Sequence, residues 1–381
     1  MVSSKRVSYF YDSSVGSIKY PSDHYMKPVR MEMAHSLLEA YGVFSNSNID
    51  IVTPYRPDKK DLEMFHSPEY IHFLQGVTRN NLKADNQFGV HGGGDCPPIN
   101  RLMDLCEISA GGSIGAAAKL IRAGHDIAIN WSGGLHHAKK GKASGFCYVN
   151  DSVRNSRAFE SFPTCVVHRY RCTPWRWSGR SLLIQLIGGK DDVGAEGGKY
   201  YSINIPLDHG IDDLSFSNLF RPIISKVIQV YTPEAIVLQA GADSLYGDRL
   251  GEFNLSIKGH ADCLKHLMSF DIPLMLLGGG GYTIENVARC WCYETAVAIG
   301  VEGELDEQLP DHKFINSYQG NQRTLHFPVG TVPNKNLEDE LIELRNLCLE
   351  RVSQFVHAPS VQFHETPAVF ELPEAEDDER C

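Results

Sequence analysis

Short apolar runs recur between helix-length stretches along this chain, and that alternation leaves few architectures open to it. The runs are Ile49 to Val52, Asp126 to Asn130, Tyr201 to Ile205, Ala235 to Gln239 and Pro273 to Leu277, with helical patterns such as Glu107 to Arg122 and Leu214 to Tyr231 between them. Strands in alternation with helices imply crossover units, hence a mainly parallel sheet covered on both faces. The expected fold is therefore α/β, a single domain with a mainly parallel sheet flanked by helices. In such folds ligands bind beyond the carboxyl ends of the strands. Trp131 to His137 follows the run ending at Asn130, Gly241 to Asp243 follows Gln239, and Gly278 to Tyr282 follows Leu277. A histidine pair, a carboxylate and a phenol thus fall on one rim. Each alone is an ordinary glycine-rich turn or a hydrogen-bonded buried histidine; their joint placement points to a site.

Composition narrows the partners. With 42% hydrophobic residues the chain can build a core, and its formal charge of -11 argues against a direct nucleic-acid ligand, which needs a basic face. An acidic surface suits a basic protein partner. The ten cysteines are scattered and no apolar leader precedes them, so they read as reduced thiols of the cytosol or nucleus. No apolar run is long enough to cross a bilayer, so no membrane is expected. Asn336 to Arg351 has the pattern of a charged amphipathic helix. Residues 368–381 are acidic, with Glu371, Glu374, Glu376, Asp377, Asp378 and Glu379, and read as a disordered tail.

Two stretches, Trp131-Ser-Gly-Gly-Leu-His136-His137-Ala-Lys-Lys and Ala143-Ser-Gly-Phe146-Cys-Tyr-Val-Asn150-Asp151, resemble the active-site core of the class I type of zinc-dependent histone deacetylases. Gln239-Ala-Gly-Ala-Asp243, Phe253 to His260, Leu277-Gly-Gly-Gly-Gly-Tyr282 and Asn286 to Trp291 are similar to the same family, in the same order. The resemblance runs over residues 6–363 and implies the arginase/deacetylase type of fold and hydrolysis of acetyl-lysine on histone tails, with repression of transcription. It implies Zn2+ as cofactor with Asp243 as one ligand, and His136 and His137 as the pair that moves the protons of the water and the leaving amine. Tyr282 would donate to the oxyanion. Asp95 would hold the substrate backbone, with Gly145 and Phe146 lining the lysine tunnel. Lys27 and Arg249 match basic positions that bind inositol phosphate and corepressor proteins, although a solvated surface charge is the plainer reading of both. Arg30 matches an arginine below the site and could equally be an ion-pair partner. The resemblance further implies residence in the nucleus, with the cytoplasm as a second compartment.

Between about residues 154 and 191 the resemblance stops. The family carries two more zinc ligands on an Asp-Val-His-His-Gly-Asp type strand end, but Thr164 to Leu182 contains no Asp at all. Trp175 to Gly179 can be encoded tgg aga tgg agt gga; read one base later this gives Gly-Asp-Gly-Val. The same shift over Thr164 to Leu182 permits Arg-Val-Leu-Phe-Ile-Asp-Ile-Asp-Val-His-His-Gly-Asp-Gly-Val-Glu-Glu-Ala-Phe. The segment is read as a frameshifted translation that also lost residues before Asp192. Cys165, His168 and Cys172 have ligand-like spacing but arise from the shifted frame, with no geometry selected for a metal. Two of three ligands are then missing, and the alternative is a catalytically inactive paralogue or misread product that only binds corepressor partners. A ureohydrolase is disfavoured, because its two-metal Asp and His clusters are not visible. Arg169, Arg171, Arg176 and Arg180 predict expulsion of residues 154–190 to the surface, since unpaired buried charge is costly.

Overall fold

The computed structural model describes residues 5–82, 87–122, 124–151, 165–169, 181–185, 189–193, 199–318 and 323–354. Among the described residues eight strands form one sheet: β1 Val7–Phe10, β2 Ile49–Val52, β3 Ile127–Asn130, β4 Cys165–Arg169, β5 Ser181–Gln185, β6 Ser202–Asn204, β7 Ala235–Gln239 and β8 Leu274–Leu277. Their spatial order is β2-β1-β3-β8-β7-β4-β5-β6. Every adjacent pair is parallel. The α/β expectation therefore holds, and all five strand runs read from the sequence lie in this sheet. Val7–Phe10 was absent from that reading, because four residues near a chain end carry little periodicity.

Residue alternation distributes the side chains to the two faces. β1, β3, β7 and β8 are buried at every position. Ala128, Val237, Met275 and Leu277 join Ala116, Ala117 and Leu120 of α4 (Leu102–Ile121) on one face. Their neighbours Ile127, Ile129, Ile236, Leu238, Leu274 and Leu276 belong to the larger core on the other face. That core includes residues of α1 (Val29–Ala40), α5 (Asp213–Tyr231), α6 (Ile257–Met268) and α7 (Ile284–Ile299). The other α-helices among the described residues are α2 (Lys59–Glu63), α3 (Pro68–Gly76) and α8 (Glu338–Ser353). Asp212 caps α5 by accepting from Ser215 N–H, and Ser256 caps α6 through Gly259 N–H. No helix among the described residues is long and apolar enough to cross a membrane.

The expulsion expected for residues 154–190 is corrected for ten of them. Cys165–Arg169 runs as an interior strand between β7 and β5, with Arg169 in register with Gln239 on one side and Gln185 on the other. Ser181–Gln185 is also interior, and its Leu182 and Ile184 are fully buried. The physical reason is that sheet pairing is made by backbone groups. Without β4, the edge of β7 would bury a row of unpaired N–H and C=O groups. Val166 and Val167 suit a strand whatever the reading frame. Arg171, Arg176 and Arg180 lie outside the described residues, as do Cys172 and the acidic tail 368–381.

Candidate active site

β3, β8 and β7 are consecutive in the sheet, so the loops that follow them share one rim. His136, His137, Gly145, Asp243 and Tyr282 line one small cavity there, with Met26 and Cys147. A separate, wider pocket of about 720 Å³ adjoins it where Phe146 meets Tyr282 edge-on, and this outer mouth carries Asp95 and Phe146 together with His24, Tyr25 and Leu250. The residues singled out for catalysis, substrate and metal thus fall on one cavity and its mouth.

The histidine loop is held from beneath by buried polar groups. Asp151 accepts from Ser113 Oγ at 2.6 Å, Gly134 N–H at 2.9 Å and Leu135 N–H at 2.7 Å. Burial pushes the Asp151 carboxyl above its usual range against the pull of these three donors. Asn150 Nδ2 donates to the carbonyls of His136 and Ala138, both at 2.9 Å. Asn130 in turn donates to Ser109 O and Ser113 Oγ. His136 Nδ1 lies 3.0 Å from Gly134 O, and since a carbonyl only accepts, Nδ1 carries the proton and Nε2 is the basic nitrogen. The His136 and His137 rings sit 4.1 Å apart at 44°.

Glycines bring the backbone up to these rings. Gly145 has φ +51, and a Cβ there would lie 2.7 Å from His137 Cγ. Phe146 follows with φ 67, which is strained for a residue with a side chain. Its ring meets Tyr282 edge-on at 5.6 Å and His24 at 4.8 Å. Gly145→Ala should therefore destabilise the fold by about 1–2 kcal/mol from the left-handed backbone alone, with more from the contact on His137. Chemical denaturation checks this; a midpoint equal to the parent's would show that the turn relaxes freely.

Tyr282 and Asp243 are placed by their own loops. Asp248 accepts from the N–H groups of Tyr282 at 2.7 Å and Thr283 at 3.2 Å, while its other oxygen accepts from Leu250 and Gly251. Asp243 sits in the short turn Ala242–Ser244, tied to the loop after β8 by Ala242 N–H on Gly280 O. A Cβ on Gly280 would stand 2.2 Å from Asp243 Oδ2, so glycine alone admits the carboxylate. Arg30 is buried and donates to the carbonyls of Gly279 and Gly281, with its guanidinium 5.0 Å from the Trp291 ring. It serves as a strut under the tyrosine loop, with no ion pair to a described residue. Burial pulls its pKa down, opposed by Tyr282 and Asp243.

At the mouth, His24 Nε2 donates to Asp95 O at 3.1 Å and its Nδ1 accepts from Met26 N–H. Burial lowers the His24 pKa, so the ring is neutral near pH 7 and keeps both bonds. Lys27 Nζ is engaged by the carbonyls of Pro21 and Ser22, and Arg249 is exposed. Sequence reasoning placed Asn150 and Asp151 only in a motif and Asn130 only at a strand end, and gave no role to Ser113, His24 or Asp248. A buried Asn-Asp pair after an apolar strand-like run was the available signal for the first two.

The histone deacetylase domain profile matches residues 24–157 and 186–298. Over 396 aligned residues the chain is 49% identical to histone deacetylase 6 of Arabidopsis thaliana, covering 98% of this chain and 83% of that protein. The chain belongs to the histone deacetylase family. It is also 45% identical to histone deacetylase 1 of rice, Oryza sativa subsp. japonica, over 98% of this chain and 75% of that protein. Against the type-1 histone deacetylase 1 of Dictyostelium discoideum it is 42% identical over 99% of this chain and 79% of that protein. These relatives place it with the class I type of the family, which is zinc-dependent.

A catalytic zinc needs about three protein ligands. Among the described residues, the one group of three potential ligands that converges is His260, Cys290 and Glu294, not a group around Asp243. The profile skips residues 158–185, the stretch where the two further ligands were expected, and that stretch contains no Asp. The described residues around Asp243 therefore do not fit a catalytic zinc.

Proposed function

We propose that this deacetylase-family chain carries an acetyl-lysine hydrolase site whose metal-binding half is lost in translation. The carrying observation is the convergence of His136, His137, Gly145, Asp243 and Tyr282 on one cavity whose mouth holds Asp95 and Phe146. An extended acetylated histone tail would be held at the mouth by the exposed Asp95 carboxylate, with the acyl-lysine stem passing Phe146. Inside, the imidazole pair moves protons and the Tyr282 phenol donates to the oxyanion. The bound Zn2+ expected of the family would polarise the carbonyl and activate water. It would need ligands besides Asp243, and the shifted frame supplies them. The interruption of the family match over residues 158–185 supports that reading. Residence in the nucleus, and corepressor partners bridged by inositol phosphate at Lys27 and Arg249, belong to the same proposal.

The frame itself is directly testable. The gene should hold an open Ile-Asp-Ile-Asp-Val-His-His-Gly-Asp reading one base out of phase beneath residues 168–177. Codons at Trp175 to Arg180 that cannot give Gly-Asp-Gly-Val in that phase would end the idea. A variant carrying the shifted sequence over Thr164 to Leu182, together with the relatives' residues before Asp192, should release acetate from an acetyl-lysine peptide and no urea from arginine. Urea release would favour the ureohydrolase reading instead.

The second reading, a silent paralogue that works by binding corepressor proteins, is favoured by the misfit of metal and described residues. A transcript without the shifted phase, joined to a stable corepressor complex of the chain as translated, would select it.

A further inference from the structure

Behind the Asp243 turn lies a buried group that the site as described does not use. His260 on α6 and Glu294 on α7 are both fully enclosed, with Nδ1 and Oε1 2.7 Å apart. Cys290 Sγ is 3.7 Å from the same nitrogen. The ligand atoms of these three residues lie within 4.8 Å of one another, close enough to share a metal ion. Proton bookkeeping argues otherwise. His260 Nε2 lies 3.2 Å from the carbonyl of Gly241, which only accepts, so Nε2 carries a proton. A bare Nδ1 would then face a carboxylate oxygen, lone pair against lone pair. One further proton must lie between Nδ1 and Oε1, and neither ring nitrogen has a pair to offer a cation. Full burial works against charge on the ring, but the Glu294 carboxylate and Cys290 outweigh it and hold the pKa well above the ordinary histidine value.

We propose that the His260–Glu294 pair is a positioning device that fixes the Gly241 carbonyl, and through it the Asp243 carboxylate, relative to the histidine loop. Gly241 is two residues before Asp243 and has no room for a side chain, since a Cβ would lie 2.8 Å from Asp243 Oδ1. The preceding carbonyl, Ala240 O, is taken by Trp291 Nε1 at 3.0 Å from the same helix as Glu294. Two successive buried carbonyls entering the turn are thus pinned by donors from α6 and α7, while Ala242 N–H is pinned by Gly280 O. The turn then has no backbone freedom with which to swing the carboxylate. A buried ion pair is a poor source of stability compared with apolar residues of the same volume, which leaves geometry as its use here.

The test separates geometry from stability. His260→Leu/Glu294→Met replaces the pair by apolar groups of similar size, a change that commonly leaves a fold as stable or more so. In the full chain as translated, amide exchange at Ala240 to Leu245 should speed up by about tenfold or more, with Ile127 to Asn130 unchanged. Glu294→Gln, which leaves His260 Nε2 on Gly241 O, should exchange like the parent. A second arm rests on the proposed function. In the variant with the metal loop restored, the double substitution should lower kcat by about 10- to 100-fold with KM for the peptide unchanged, because the mouth at Asp95 is untouched. Uniform exchange across both segments, or parental exchange at Ala240 to Leu245, would overturn the proposal whatever the second arm shows. Stoichiometric zinc in the chain as translated that disappears with Cys290→Ser would overturn it too, in favour of a metal at His260. Altered exchange with no turnover in any restored variant would count against the deacetylase reading and leave the positioning role standing.

Discussion

Purified as translated, the chain is expected to hold far less than one zinc per molecule and to leave an acetyl-lysine peptide intact. With Thr164 to Leu182 exchanged for the shifted-frame sequence and the missing residues restored before Asp192, both zinc and turnover should appear together. The size of the effect follows from ligand number. One carboxylate binds zinc only weakly and transiently, whereas three ligands on a preformed rim hold it and can lower the pKa of its water toward neutrality. Because binding to a preformed site also stabilises the folded state, chelation should lower the melting temperature of the restored chain and not that of the chain as translated. Metal analysis, a peptide assay and a melt with and without chelator read all three. Robust, zinc-dependent turnover by the chain as translated would sink the assignment of the loop.

In the restored chain, Tyr282→Phe should keep its zinc and nearly its parental KM yet lose about a hundredfold to a thousandfold in kcat, or roughly 3–4 kcal/mol of transition-state stabilisation. The ring is held by Phe146 edge-on and the loop by Asp248, so removing only the hydroxyl leaves the cavity wall in place. The phenol matters when the carbonyl oxygen becomes an oxyanion, which the substrate ground state does not show. Asp243→Ala should behave differently, with activity and metal-linked stability falling together. A Tyr282→Phe enzyme with full activity, or one that loses zinc as Asp243→Ala does, would require the two roles to be abandoned.

The sequence by itself determined the class of fold, because apolar runs separated by helix-length amphipathic stretches can be buried only in a parallel sheet covered on both faces. It also determined that the histidine, aspartate and tyrosine motifs end strands, and so stand on the carboxyl rim. Their adjacency was decided by the tertiary structure: β3 is far in the chain from β7 and β8, and neighbours β8 only because these later strands return inward between β3 and β4. The supports of the site were equally illegible. Asp151, Asp248, Asn130 and His260 act through partners brought close by folding, and a buried polar residue gives no sign in sequence of which donor will meet it. The arginine-bearing run at 165–169 shows the limit most clearly. Side-chain cost predicted its expulsion, but a strand is recruited through its backbone, and the unpaired flanks of β7 and β5 place it inside the sheet.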